Sequence, residues 1–231
     1  MKKGFETGFV YAGTVIGAGF VSGRELWQFF GRFGSYGILG LFMCCLLYFA
    51  LGLFLFTIIG KSKAQSVYEL FGRRGKPIIW LNLAFMFVLF VSMTAAAGAV
   101  FEEITGFRRE TGSLLFCLLV WFCVSEGRNG FSEVSFVLTP FLVLSGIVCG
   151  TALCPFWNIQ QAETGEGSIL SASVSALIYV SYNVLPLGAV MFPFREDFKE
   201  KRVKFWGSFW GSLIMFILGV CLFSRLCYTM T

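Results

Sequence analysis

The sequence predicts an all-α integral membrane protein, and three observations carry that prediction. Of its 231 residues, 57% are hydrophobic and only 13% charged, whereas a soluble domain carries about 25% charged residues. Its apolar residues gather into long stretches, most of them near the 20 or so residues that a helix needs to cross a bilayer. Its positive charges, finally, crowd into alternate connections between those stretches.

The expected spans are 5–31, 36–60, 78–105, 112–127, 131–154, 169–194 and 203–229, about seven transmembrane helices in a single domain over 1–231. The fourth is short. Thirteen Lys and Arg (Lys2, Lys3, Lys61, Lys63, Arg73, Arg74, Lys76, Arg128, Arg195, Lys199, Lys201, Arg202 and Lys204) fall on one side of this arrangement. Four, Arg32, Arg108, Arg109 and Arg225, fall on the other, and Arg24 lies within the first span. By the positive-inside rule the N-terminus is cytoplasmic and the C-terminus outside, which places the chain in the plasma or inner membrane as a multi-pass protein. The connection around Asn158–Gly167 carries no Lys or Arg, as an outer loop would. Met1-Lys2-Lys3 opens a stretch too long for a signal-peptide core and lacks a clear small-residue cleavage site.

The first span contains Gly13-Thr14-Val15-Ile16-Gly17-Ala18-Gly19-Phe20-Val21-Ser22-Gly23-Arg24-Glu25. Glycine weakens a helix, and a bilayer has no water to satisfy freed backbone groups. A break there persists only where protein or a polar cavity takes over. Two readings stay open: an unwound segment that presents backbone to a small solute, or close helix packing through the i,i+4 pairs Gly13/Gly17 and Gly19/Gly23. Gly17-x-Gly19 superficially has a nucleotide-loop spacing, but no strand precedes it and the third glycine is one place too far. Arg24 and Glu25 form a charged pair near the outer end, either a gate over the solute or side chains snorkelling to the interface.

Ala64–Phe71 has the spacing of a short interfacial helix, and Pro77 then suits the start of span three. Ser92–Ala99 is a run of small residues that admits another backbone. Glu102 and Glu103 follow near the outer end, and Glu126–Gly130 is a polar turn between spans four and five. Span six holds Tyr179-Val180-Ser181-Tyr182-Asn183-Val184-Leu185-Pro186. Three polar side chains together are costly at bilayer depth, and Pro186 removes a backbone hydrogen bond, so a kink or break is expected. In span seven, Gly207 and Gly211 make a small packing face.

Spans one and six run in opposite directions and both are interrupted, the pattern of an inverted-repeat secondary transporter. Half-helix N-termini would suit a carboxylate and freed carbonyls a cation or ammonium. The eight Cys form no C-x-x-C pair and there is no His. The Cys read as small membrane hydrophobes, with no metal site and no cofactor expected. Without a nucleophile–base pair or metal cluster an enzyme is not expected. Nor is a channel or a nucleic-acid binder.

The run GTVIGAGFVSGRELWQFFGRFG in span one, with YVSYNVLP in span six, resembles the YkvI-like family of bacterial membrane proteins. That family is similar to the amino acid–polyamine–organocation superfamily, with its leucine-transporter-type fold. The resemblance covers essentially the whole chain. It implies ten spans in two inverted five-span repeats, of which these residues supply the first repeat and two helices of the second. A C-terminally truncated chain, a split gene product partnered by a separate chain that supplies the missing helices, and a self-sufficient protein all fit. The resemblance implies that Gly17, Ala18 and Gly19 unwind span one, and that Ser181, Tyr182 and Asn183 unwind span six. Arg24 falls one residue from a gating arginine of some relatives. A sodium site built partly on span eight is not readable, and span five lacks the lysine of proton-coupled relatives, so a coupling cation is open. The function expected is alternating-access transport of a small amino-acid-like or amine-containing solute. A non-transporting membrane sensor is the alternative.

Overall fold

The computed structural model of the chain describes residues 2–17, 20, 23–64, 69, 72, 75–151 and 168–229. Among them all regular structure is helical: α1 (Lys2–Val15), α2 (Arg24–Phe29), α3 (Tyr36–Lys61), α4 (Lys76–Thr105), α5 (Arg109–Ser125), α6 (Gly127–Thr151), α7 (Ile169–Met191) and α8 (Lys201–Thr229). Short 3-10 turns follow α2 and α7. The chain divides into two compact units, Met1–Lys63 with Ser135–Thr231, and Ala64–Val134.

In the first unit the helix directions follow from glycine contacts. A Cβ on Gly4 would meet Trp206 Cβ at 2.9 Å, and one on Gly8 would meet Trp210 Cβ at 2.7 Å, so α1 and α8 run parallel. Gly37 faces Phe223 at 2.7 Å and Gly52 faces Ser208 at 2.8 Å, so α3 runs antiparallel to α8. A Cβ on Gly40 would lie 3.3 Å from the Ala172 carbonyl and Tyr48 packs on Tyr179, so α3 and α7 are parallel. Therefore α1 and α7 run antiparallel. The reason for the glycines is physical: lipid tails are as apolar as leucine, so membrane helices associate through close contact rather than through burial from water. Gly207 serves this end against Thr7, and Gly211 does so against the Tyr11 ring. Gly13 packs on Thr139, whose hydroxyl donates to the Phe9 carbonyl at 3.2 Å.

One end of this unit is basic. Lys3 pairs with Asp197 at 3.2 Å, and Phe198 stacks on Phe56 with ring centroids 4.2 Å apart. These contacts join the N-terminus, the end of α3 and the start of α8, and with them Lys2, Lys61, Lys63, Arg195 and Lys199. Glu196 accepts from Lys199 and Arg195, and the hydrogen bond from Lys199 leads in holding its carboxyl below the usual range.

The second unit pairs α4 with α5. A Cβ on Gly98 would meet the Arg109 carbonyl at 2.7 Å, and Ser113 donates to the Thr94 carbonyl at 3.1 Å, so the small-residue run does admit a backbone. At the junction of α4 and α5, Arg109 pairs with exposed Glu102 at 3.1 Å.

Large apolar side chains face outward on both units, among them Leu39, Phe42, Leu46 and Phe54 on α3, and Trp80, Leu81, Phe87 and Val88 on α4. Such bands are unstable in water and fit lipid. Among the described residues, three helices are long and apolar enough to cross a membrane, Tyr36–Lys61, Lys76–Thr105 and Lys201–Phe223. A fourth is the bent pair Ile169–Val184 and Pro186–Phe194, at 41°.

In the first span, where an interruption was expected, α1 stops at Val15 after a rise of only about 21 Å and α2 begins at Arg24. Several expectations change at this level. Ser181, Tyr182 and Asn183 are not unwound. They lie within α7, and the bend falls at Leu185–Pro186 instead. Serine and asparagine there return hydrogen bonds to their own helix, Ser181 to the Leu177 carbonyl at 2.6 Å and Asn183 to that of Tyr179 at 3.0 Å. Their polarity is thereby satisfied without opening the helix. The Glu126–Gly130 turn contracts to a single junction, because Gly127 takes φ 64° and α6 begins there. Most of Ala64–Phe71, and all of Asn158–Gly167, lie outside the described residues.

Candidate functional site

The site grows out of the end of α1. Ile16 still donates to the Ala12 carbonyl at 2.8 Å, and Phe20 donates to the Gly17 carbonyl at 3.1 Å. Ala18 and Gly19 are outside the described residues. Gly23 then takes φ 77°, a conformation that glycine adopts without strain, and α2 begins at Arg24.

Restarting the helix there separates the charged pair. Arg24 is exposed and makes no ion pair among the described residues, while half-buried Glu25 turns toward α7. Glu25 Oε2 accepts from the Tyr179 hydroxyl at 3.2 Å and from the Tyr182 hydroxyl at 3.1 Å. Tyr179 is ten residues into α7, about 15 Å from its start and close to the middle of the helix. Arg24 and Glu25 therefore have different surroundings. A carboxylate at such depth costs about 2.5–3.5 kcal/mol; two hydrogen bonds to a charged group, at about 1.5–3 kcal/mol each, offset that cost.

Aromatic rings frame the carboxylate. Phe29 stacks on Tyr182 at 5.9 Å and meets Tyr179 edge-on at 5.1 Å; Phe30 and Phe20 lie 5.7 and 6.5 Å from Tyr179. A third tie comes from Ser175, whose hydroxyl donates to the Phe29 carbonyl at 2.7 Å. On the α3 side Tyr48 packs on Tyr179, and its buried hydroxyl lies beside Asn183 in no hydrogen bond of proper geometry. Tyr11 donates to the Tyr48 carbonyl at 2.7 Å and closes the floor.

Of the residues expected from sequence, the structure brings together Glu25, Tyr182 and Asn183. It sets Ser181 on an exposed face and Arg24 away from the cluster. Tyr179, Tyr48, Phe29 and Ser175 are additions. Tyr179 was legible in principle, since it stands one helical turn before Asn183 and two before Pro186. Tyr48 gave no signal, being one aromatic in an apolar run.

Helices with apolar outward faces around a buried tyrosine–carboxylate cluster define the chain as an all-α membrane protein. It is 29% identical over 219 residues to the uncharacterized membrane protein YkvI of Bacillus subtilis (strain 168), an alignment that takes in 92% of this chain. The chain spans 63% of the length of that relative. No family model matches the chain. No solved structure matches it.

Proposed function

We propose that the chain acts in secondary transport of a small amino-acid-like or amine-containing solute, by alternating access between the α1–α2 break and α7. The observation that carries this reading is the facing of two antiparallel irregular elements, α1 ending at Val15 and α7 bent at Pro186, with a charged side chain held between them. Exchanging α1 with α7 and α3 with α8 maps the parallel contact α1–α8 onto the parallel contact α3–α7. An inverted repeat has that symmetry. In this reading the chain is a multi-pass protein of the plasma membrane with a cytoplasmic N-terminus, related to the amino acid–polyamine–organocation superfamily, and no catalysis is involved. Tyr182 and Asn183 contact the solute, the backbone at Gly17–Gly19 holds its charged group, and α2 moves as the outer gate.

The test is uptake of radiolabelled amino acids and amines by proteoliposomes containing the purified chain. Saturable uptake by wild type, reduced at least about ten-fold in Asn183→Ala with insertion unchanged, is the expected result. Wild-type uptake retained in the variant removes the site assignment. Binding without flux in wild type favours the sensor reading instead.

A further inference from the structure

We propose that Glu25 and its aromatic frame form a recognition site for an organic ammonium group, so that the solute is a cationic amine rather than an anion. The proposal rests on the transport reading and narrows it. Both tyrosine hydroxyls donate to the same oxygen, Oε2, and among the described residues Oε1 has no hydrogen bond. The neighbouring cation does not fill the gap, because Arg24 is exposed and makes no ion pair among the described residues. A half-buried acidic side chain with one oxygen unengaged offers an arriving cation a place to bind.

The surroundings select the kind of cation. Phe29 packs on Tyr179 and Tyr182, the two tyrosines whose hydroxyls hold the carboxyl group, and ring faces attract ammonium groups. A hard metal ion such as calcium seeks about six to eight oxygen ligands, more than the Glu25 carboxyl and the two tyrosine hydroxyls supply. An ammonium N–H donates to Oε1 while the attached carbons rest on the rings. A carboxylate solute meets the charge of Glu25 and is repelled.

The experiment measures the thermal midpoint of the 231-residue chain in detergent with butylammonium chloride, sodium butyrate or sodium chloride at matched concentrations. A saturable rise with butylammonium alone is expected. In Glu25→Gln, which keeps an acceptor for the tyrosines, the apparent Kd rises about ten-fold or more, the loss of a charge-assisted contact. No rise with butylammonium, or an equal one with sodium chloride, overturns the proposal. So does a rise that survives intact in E25Q. If E25Q does not yield folded protein, the three wild-type arms decide, and Glu25→Asp is expected to keep the selectivity at lower affinity.

Uptake of radiolabelled alanine and choline into proteoliposomes separates the two readings. Alanine uptake that is unchanged in E25Q, with no butylammonium effect, removes the ammonium site and leaves transport standing. Glu25-dependent butylammonium binding without uptake of either probe keeps the site and removes transport.

Discussion

At the scale of single residues the decisive contrast lies between two glycines in the membrane-crossing helices. Gly211 packs on the Tyr11 ring, whereas nothing lies within 4 Å of where a Cβ on Gly188 would sit. Gly211→Ala is therefore expected to lower stability by about 1–3 kcal/mol through overpacking. Gly188→Ala should stay within about 1 kcal/mol of wild type or gain slightly, since alanine is the better helix former. Thermal midpoints of the two variants in one detergent check the pair. Tyr182→Phe removes one of the two donors to Glu25 and leaves the Phe29 stack in place. It is expected to weaken the docking of α2 by about 1.5–3 kcal/mol, read as faster amide exchange over residues 24–29 with little change in α8.

At the scale of elements, α7 is bent at Leu185–Pro186 and stays helical at Ser181–Asn183, where an unwound segment was expected. A helix-interior proline costs about 3 kcal/mol relative to alanine, so Pro186→Ala should raise or preserve the thermal midpoint. If the 41° bend sets the shape of the pathway, the same variant loses uptake. A stabilised protein with undiminished uptake would argue against the bend having that part. The α2 helix has six residues and is held through the Ser175 and Glu25 contacts. Ser175→Ala removes one membrane hydrogen bond, worth about 0.6 kcal/mol. That loss is expected to show as a small rise in exchange confined to α2.

At the scale of the whole molecule, the charge distribution predicts topology. Lys3 with Asp197, and Phe56 with Phe198, gather the N-terminus and two basic connections at one end of the first unit. By the positive-inside rule, fusions of alkaline phosphatase after Lys63 and after Arg195 are expected to be inactive. A fusion after Thr231 should be active. Activity after Lys63 would reverse the assigned orientation.

The membrane class was determined by the sequence alone, because apolar content and the scarcity of charge do not depend on how helices meet. The irregularity of Gly13–Glu25 and the bend at Pro186 were legible for the same reason: glycine and proline act on their own backbone. Tertiary structure decided which polar side chains face one another. It turned Glu25 inward while leaving Arg24 exposed, a choice set by where Gly23 restarts the helix and not readable from two adjacent charges. It kept Ser181 and Asn183 in a helix, since each found a carbonyl four residues back. It also brought Tyr48 and Tyr179 together across more than a hundred residues, a contact that only the parallel packing of α3 and α7 creates.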